Sequence, residues 1–117
     1  MSEETHHGRI EVSPAAIASI VYDAILSCYG VVGTASKDLA SGIATRLNHD
    51  RKPGVAVSVE DGQVTIDVYV IIEYGTRIAA VAHSVMDVVQ FRVERALGID
   101  VRAVNVHVEA LRVSNVD

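Results

Sequence analysis

Cysteine, tryptophan and phenylalanine are almost missing from this sequence, and each absence excludes a class of structure. The single cysteine, Cys28, rules out an internal disulfide and a zinc site built from cysteines, and it fits a reducing cytoplasm. There is no tryptophan and one phenylalanine, while half of the 117 residues are apolar, most of them valine, alanine or isoleucine. This composition favours one closely layered α+β domain over a domain with a large aromatic-lined pocket.

Positive charge and long apolar runs are also scarce. Ten Lys and Arg residues against 15 Asp and Glu residues give a formal net charge of −5. This charge argues against general nucleic-acid binding, because phosphate contacts need a basic surface. No apolar run approaches the ~20 residues of a membrane span, and the acidic N-terminus has no signal-peptide apolar region. We therefore expect a soluble, cytoplasmic chain that binds no nucleic acid and does not insert into the membrane.

What the sequence does contain is a long strand pattern that passes through Gly75 into the longest helical pattern, together spanning residues 64–97. The apolar residues of the strand alternate and so share one sheet face: Val64, Ile66, Val68, Val70 and Ile72. The apolar residues of the helix recur at helical spacing: Ile78, Val81, Ala82, Val85, Val89, Val93 and Ala96. Neither surface is stable in water, so we predict that this helix packs onto the sheet.

The rest of the chain fits around this pair as a single domain over residues 8–113. We predict a disordered tail over residues 1–7 and a short C-terminal tail over residues 114–117. Inside the domain, a strand at residues 8–12 leads into a first helix. That helix begins with Ser13-Pro14, a hydroxyl for the N-cap followed by proline at the first helical position.

The middle of the chain, residues 31–53, is an insert whose conformation the sequence leaves open. Residues 31–35 fit a short strand or an extended linker, and Ser36 suits the cap of a small helix. After it, Asp61-Gly62 is the turn of a hairpin between residues 55–60 and the long strand.

A last strand follows the long helix, which ends at Gly98. It spans residues 101–113, with Val104, Val106 and Val108 facing the core. The predicted order is β-α-(insert)-β-β-α-β. This order predicts an α+β fold, with a mostly antiparallel sheet, two main helices packed on one face and the other face open.

The open face of this predicted sheet mixes charged and apolar side chains. It carries Thr65, Asp67, Tyr69, Ile71, Glu73, Asn105, His107 and Glu109. Two carboxylates and a histidine on one face are typical of metal binding or acid–base work, but ordinary alternation also groups them and no ligand motif supports them. We predict no catalytic, cofactor-binding or metal site. Apolar groups beside charges favour a protein interface, formed by Thr65, Asp67, Tyr69, Ile71, Glu73 and His107.

Phe91, a small basic patch and Cys28 are three further candidate features, and each also has an ordinary structural explanation. Phe91 lies on the outer side of the long helix, where a frayed helix end and a contact surface are equally good interpretations. Four residues form a small basic patch that is typical of a solvated loop: Arg46, His49, Arg51 and Lys52. Cys28 lies on the apolar stripe of the first helix, which indicates a buried thiol.

Three blocks of the sequence resemble a known family. They are GRIEVSPAAIASIVYDAILSCYGVVG, GVAVSVEDGQVTIDVYVIIEYGTRI and GIDVRAVNVHVEAL. Together they cover residues 8–113 and resemble the bacterial alkaline shock protein family of envelope stress proteins. The most specific parts are the hairpin that runs into Tyr74-Gly75 and the segment from Val104 to Val108. The segment 36–53 is not distinctive, and the long tail of some relatives does not follow the last strand.

The resemblance implies a cytoplasmic, non-enzymatic protein linked to envelope homeostasis and stress. Some members of this family self-associate, and some gather at the membrane through a separate membrane-anchored partner. We therefore expect a scaffold that acts through protein contacts, with itself and with a small membrane-anchored protein, at the inner face of the membrane. Two alternatives remain: an RNA-binding K-homology-like module, although its G-x-x-G loop is missing, and a small ligand-binding regulator of lipid or envelope metabolism.

Overall fold

A computed structural model of the chain describes residues 2–5, 7–35 and 52–113, and in them it contains two helices and six strands. In chain order these elements are β1 (Ser2–Thr5), β2 (Gly8–Glu11), α1 (Pro14–Leu26), β3 (Val31–Thr34), β4 (Val55–Glu60), β5 (Gln63–Glu73), α2 (Ile78–Leu97) and β6 (Val101–Arg112). The α+β class and the predicted order from the first helix onward are confirmed.

Strand β5 is the centre of a four-stranded sheet. On one side it pairs antiparallel with β4 along its first half and with β3 along its second half, so these two short strands follow one another along the same edge. On its other side β5 pairs parallel with β6, which puts Val68 beside Val106 and Tyr69 beside His107. Two of the three pairings are antiparallel, so the sheet is mostly antiparallel, as predicted.

The core lies between the two helices and one face of this sheet. The alternating residues of β5 predicted to face inward are all fully buried: Val64, Ile66, Val68, Val70 and Ile72. From α2 the buried residues are Val81, Val85, Val89 and Val93, and from α1 they are Ile17, Ala18, Val21, Ala24 and Ile25. The predicted packing of α2 on the sheet is confirmed, but of its predicted apolar stripe only the four valines are buried: Ala82 is half-buried, and Ile78 and Ala96, near the two ends of the helix, are exposed.

The start of α1 and the end of α2 are as their sequences suggest, whereas α1 ends at Leu26, before Gly30. The Ser13 hydroxyl accepts a hydrogen bond from the Ala16 N–H at 3.2 Å, and Pro14 occupies the first turn, where its missing N–H has no cost. At the other end of the domain, α2 stops at Gly98, which is left-handed with φ 67°. The Glu94 carboxylate then accepts the Val101 N–H at 3.0 Å, which ties the end of α2 to the start of β6.

The close approach of β3 and β4 depends on Gly54. Its φ is +75°, and a Cβ added there would lie 2.7 Å from the Thr34 Cβ and 2.8 Å from the Tyr69 carbonyl oxygen. The same short stretch is held by two backbone hydrogen bonds, from Tyr69 N–H to the Gly54 carbonyl and from Ala35 N–H to the Tyr69 carbonyl. The chain therefore leaves the sheet edge and returns to it at a point where a side chain has no room.

The N-terminal part of the chain differs from the prediction. Residues 2–5 are strand β1 and not a disordered tail, because they pair antiparallel with β2, with Ser2 opposite Glu11 and Thr5 opposite Gly8. Backbone hydrogen bonds hold such a hairpin without an apolar side-chain pattern, which is why the composition of the segment did not indicate it. Strand β2 pairs with β1 and is not part of the four-stranded sheet.

The insert is described only at its edges. Residues 31–34 form a short strand, which decides between the two conformations left open for them. The predicted small helix after Ser36, the basic residues Arg46, His49 and Arg51, and the C-terminal tail 114–117 lie outside the described residues.

The last strand carries the predicted faces but not all of the predicted burial. Val104, Val106 and Val108 lie beside Ile66, Val68 and Val70 of β5, on the helix side of the sheet. Val104 is buried and Val106 is half-buried, whereas Val108 is 37% exposed. Twelve strand residues extend about 40 Å, while the 20 residues of α2 extend about 30 Å, so the helix cannot cover the whole strand.

Candidate functional site

The polar residues predicted for the open sheet face come together across β5 and β6. The Asp67 Oδ1 atom lies 3.0 Å from the His107 Nε2 atom and accepts a hydrogen bond from the Asn105 Nδ2 atom at 3.2 Å. The register explains the grouping, since Asp67 is opposite Asn105 and Tyr69 is opposite His107. The Tyr69 and His107 rings stack, with centroids 4.4 Å apart and planes 14° from parallel.

The side chains of this cluster contact one another. One carboxylate oxygen of Asp67 serves both Asn105 and His107, and the imidazole of His107 is also stacked on an aromatic ring. Cross-strand pairs of this kind stabilise a sheet. Within the described residues, no group of three or more His, Cys, Asp or Glu side chains could hold a metal ion.

The apolar members of the predicted interface are only partly accessible. Tyr69 and Ile71 are half-buried, as are Thr65, Asp67 and Glu73 on the same strand. Both described helices contact the opposite face of the sheet, where the core residues lie. The proposal that this face meets another chain therefore stays a prediction, and its apolar groups are not the most exposed ones.

The most exposed apolar side chains lie elsewhere, at the end of the sheet where β5 and β6 finish. Five of the eight large apolar residues that are exposed in the described structure occupy this end: Tyr29, Tyr74, Ile78, Leu111 and Val113. We call this set the end surface. Tyr29 and Tyr74, at 84% and 63% exposure, are its largest members.

The topology brings these five residues to one place. The Tyr74 N–H donates to the Arg112 carbonyl at 2.8 Å, which joins the end of β5 to the end of β6 beside Leu111 and Val113. The Glu73 N–H donates to the Gly30 carbonyl at 2.8 Å, which brings in the residue after Tyr29. Because α2 begins directly after the turn that follows β5, its first residue, Ile78, lies at the same end.

A groove of about 390 Å³ opens on the end surface. It lies between the C-terminal end of α1 and the N-terminal end of α2 and is lined by Tyr29, Gly75, Thr76, Arg77, Ala80, Val81 and Ser84. Most of these side chains are small, so the backbone of the turn and of α2 is approachable. Arg77 and Arg112 are both exposed at this end, and the half-buried Glu73 lies opposite Arg112 in the register.

Sequence reasoning did not identify the end surface. Tyr74-Gly75 was recognised as a family feature but not as exposed, and Leu111 lies on the helix side of the sheet beside Ile72. The signal that could have found it is length. A strand of 12 residues outreaches the helix that covers it, so the apolar residues at its far end remain in water.

Phe91 is exposed, as the contact-surface interpretation requires, with 60% of its surface accessible. The guanidinium carbon of Arg95 lies 5.7 Å from the centre of its ring, which is within cation–π range. The neighbouring Arg92 is also exposed and donates a hydrogen bond to the Ser27 hydroxyl at 3.3 Å. Phe91 therefore has one local partner and an open ring face, and its role in binding stays a prediction.

Cys28 is a buried thiol, as predicted, but it lies two residues beyond the end of α1 and not on the helix itself. Its Sγ atom donates to the Ala24 carbonyl at 3.4 Å. Burial raises the pKa of this thiol, and the nearby positive charge of Arg92 opposes part of that rise. A thiol with a raised pKa is a poor nucleophile at neutral pH. Of the predicted basic patch, only Lys52 lies in the described residues. Its Nζ atom is 5.6 Å from the centre of the Tyr22 ring.

No helix among the described residues is long and apolar enough to cross a membrane.

Comparison with known proteins adds a family to this geometry. Residues 2–113 match the model of a family described as the Asp23 family, cell envelope-related function, in which Asp23 is the family's name and not residue 23. The chain is 39% identical over 113 residues to the uncharacterized protein YloU of Bacillus subtilis, covering 95% of this chain and 94% of that protein.

Two further relatives cover the same length. The uncharacterized protein Spy1614 of Streptococcus pyogenes is 34% identical over 93% of this chain and 92% of its own. The uncharacterized protein YqhY of Bacillus subtilis is 29% identical over 94% of this chain and 82% of its own. No solved structure matches the chain significantly.

These matches confirm the resemblance to the alkaline shock proteins that the sequence blocks suggested. Since the family model spans nearly the whole chain, this protein belongs to the Asp23 family, and its function is related to the bacterial cell envelope.

Proposed function

We propose that this chain is a non-enzymatic scaffold that serves the cell envelope by binding a small membrane-anchored protein through its end surface. The observation that carries the proposal is the gathering of Tyr29, Tyr74, Ile78, Leu111 and Val113 at one end of the sheet. Single exposed apolar residues are normal on any protein. A group that includes two accessible tyrosines beside a groove is typical of a protein contact.

The chemistry of the end surface suits a protein segment. Tyrosine is enriched among the residues that contribute most to binding energy, because its large ring is rigid and its hydroxyl keeps a polar handle. The small side chains along the groove let another backbone come close. Burying one large apolar side chain contributes roughly 1.5–3 kcal/mol, so a few of these residues suffice for a specific contact.

Charge narrows the class of partner. The chain carries a formal net charge of −5, yet the charged side chain that lines the groove is that of Arg77, while beside Tyr74 the exposed Arg112 lies opposite the half-buried Glu73. A partner segment that combines apolar residues with an Asp or Glu placed to meet Arg77 is therefore complementary to this end. Complementary charge of this kind sets orientation and specificity, and it weakens as salt is added.

We also propose that no catalysis is involved. The side chains nearest to an acid–base arrangement are Asp67 and His107, and these are engaged with each other, with Asn105 and with Tyr69. This arrangement suits a role in joining β5 to β6. Anchoring by a partner also accounts for an envelope-related function through a peripheral position at the inner face of the membrane.

The test is binding to two kinds of membrane. Purified protein is mixed with membranes from the bacterial cells that make it, or with protein-free liposomes of the same lipids, and both are floated on a density gradient. We expect wild type to float with the native membranes and not with the liposomes. Changing Tyr74 and Leu111 together to Ser should reduce flotation at least tenfold, as expected for a pair that contributes most of the contact.

The matched control is Phe91→Ser, which removes an equally exposed ring from the other end of α2. Circular dichroism must show that both variants keep their fold. Equal flotation of the double variant and wild type would reject the end surface, and loss with Phe91→Ser alone would move the contact to Phe91. Strong binding to protein-free liposomes would show that the chain binds lipid directly and does not need a protein partner.

A further inference from the structure

The outer edge of β6 is the longest strand edge that the described part of the chain leaves unpaired. Strand β6 has 12 residues and pairs with β5 on one side, and no described strand pairs with its other side. The opposite edge of the sheet is shared by two shorter strands, and the chain leaves and re-enters the sheet there at Ala35 and Gly54. An unpaired edge presents backbone N–H and C=O groups to any second strand.

Natural proteins usually protect such edges with charged side chains or β-bulges. In β6 these features lie on either side of residues 103–108 and not within them. The register with β5 shifts at two places, which leaves Arg102 and Glu109 as extra residues on β6. Between them lies a regular segment of six residues, AVNVHV (103–108), which contains no Lys, Arg, Asp or Glu. The charged residues Arg102 and Glu109 therefore lie at the two ends of a strand segment that contains no Lys, Arg, Asp or Glu of its own.

We propose that this segment pairs antiparallel with the same segment of a second copy of the chain, about a two-fold axis at Val106. An axis perpendicular to the sheet keeps the helix faces of the two copies together, and opposite residues must then lie on the same face. With Val106 on the axis, Val104 lies opposite Val108 of the second copy, and Asn105 lies opposite His107. The proposal goes beyond the envelope partner and does not depend on it.

This register is favoured over registers shifted along β6 because of the residues that it pairs. It places five consecutive residues of each copy, 104–108, within the regular segment, and it opposes no two side chains of like formal charge. It also puts Val108, which is 37% exposed on the helix side, against Val104, which is buried. A shift of two residues toward the start of β6 centres the pair on Asn105 and leaves Val108 outside the regular pairing.

The helices leave room for a neighbour at this edge. Val106 is half-buried and Val108 is exposed although both lie on the covered side of the sheet, so α2 does not close over this part of β6. The two-fold pairing closes on itself, because both copies use the same edge. It therefore gives a dimer with one continuous eight-stranded sheet and not a filament.

The register makes cysteine cross-linking a direct test. Opposite residues of an antiparallel pair have Cβ atoms about 4.5–5.5 Å apart, close to the separation that a disulfide needs. We expect Val106→Cys to form a covalent dimer on mild oxidation. Arg102→Cys is the control, since on this register residue 102 of one copy lies about 27 Å from residue 102 of the other. Cys28 is buried in every variant and gives the same background.

Sedimentation of reduced protein tests the same contact without a cross-link. Val108→Lys puts a charge at the proposed pairing and should weaken dimerisation at least tenfold. Leu26→Lys, at an exposed position at the end of α1, should leave it unchanged. Equal cross-linking of Val106→Cys and Arg102→Cys would overturn the proposal. So would a wild-type protein that sediments as a monomer, or a dimer that Val108→Lys does not weaken.

Discussion

At the scale of single residues, Gly54 and Gly62 separate two reasons for keeping glycine. Both have φ +75°, but a Cβ at Gly62 meets no atom within 4 Å, whereas one at Gly54 meets Thr34 and Tyr69. Gly62→Ala should cost about 1–2 kcal/mol of unfolding free energy, the penalty for a left-handed side chain. Gly54→Ala should cost a further ~1–3 kcal/mol, because overpacking pushes β3 and β4 apart.

Urea denaturation of the two variants beside wild type measures this difference directly. Equal losses for the two alanines would mean that β3 and β4 do not approach each other closely at Gly54. The role of the glycine would then be its backbone conformation alone.

Cys28 predicts a specific pH dependence of stability. Burial raises the pKa of its thiol, so the folded chain keeps a proton that the unfolded chain loses above the ordinary thiol pKa of about 8.5. The folded state then binds more protons than the unfolded state, and the free energy of unfolding falls as pH rises through this range. Cys28→Ala should lose less stability than wild type between pH 7.5 and 9.5, whatever its stability at pH 7.5.

The measurement is a set of urea denaturation curves at several values of pH for both proteins. Other groups that titrate in this range are shared by the two chains, so the difference between them isolates the thiol. An identical fall in both proteins would contradict a raised pKa for Cys28.

At the scale of elements, the contact between α2 and the sheet predicts unequal effects for two aspartates. Val85 is a fully buried residue on the sheet side of α2, while Val106 is half-buried on the edge strand. An unpaired carboxylate in a core costs several kcal/mol, which approaches the ~5–15 kcal/mol stability of a domain. We expect Val85→Asp to unfold the domain at 25 °C and Val106→Asp to remain folded with a lower melting temperature.

Circular dichroism against temperature distinguishes the two outcomes. Val85→Asp with near wild-type melting would show that α2 does not cover the sheet at this point. Complete unfolding of Val106→Asp would show that the middle of β6 is as deeply buried as β5.

The elements also show why part of this structure could be predicted from sequence and part could not. The alternation of β5 and the apolar stripe of α2 depend on local periodicity, so the core residues, the Asp61-Gly62 hairpin and the caps at Ser13 and Gly98 were found. The β1–β2 hairpin has no such pattern. The placement of β3 and β4 along one edge depends on the close contact at Gly54, which only the three-dimensional structure contains.

The candidate sites divide in the same way. Alternation put Asp67, Tyr69 and His107 on one face, and the register then brought them into contact. It could not reveal that Tyr69 and Ile71 are half-buried while Tyr74 and Leu111 are exposed. That difference depends on where a helix ends relative to the strands beneath it, which is a property of the assembled layers.

At the scale of the whole molecule, the protein belongs to a family with a cell envelope-related function, and we propose that its end surface binds a partner. The end surface lies where β5 and β6 finish, and Glu60 in the β4–β5 hairpin lies at the other end of the sheet. A membrane-anchored partner at the end surface would therefore leave the hairpin end directed away from the contact. This asymmetry distinguishes specific binding from general adhesion of an acidic protein.

Photo-crosslinking in living cells is the most direct test of partner binding through the end surface. A photoreactive phenylalanine replaces Tyr74 in one strain and Glu60, which is also exposed, in another. After illumination, the proposed function predicts one dominant adduct with a small membrane protein from position 74 and none from position 60. Equal adducts from both positions would contradict binding through the end surface. So would an adduct that forms only when the same group replaces Tyr69 or Phe91.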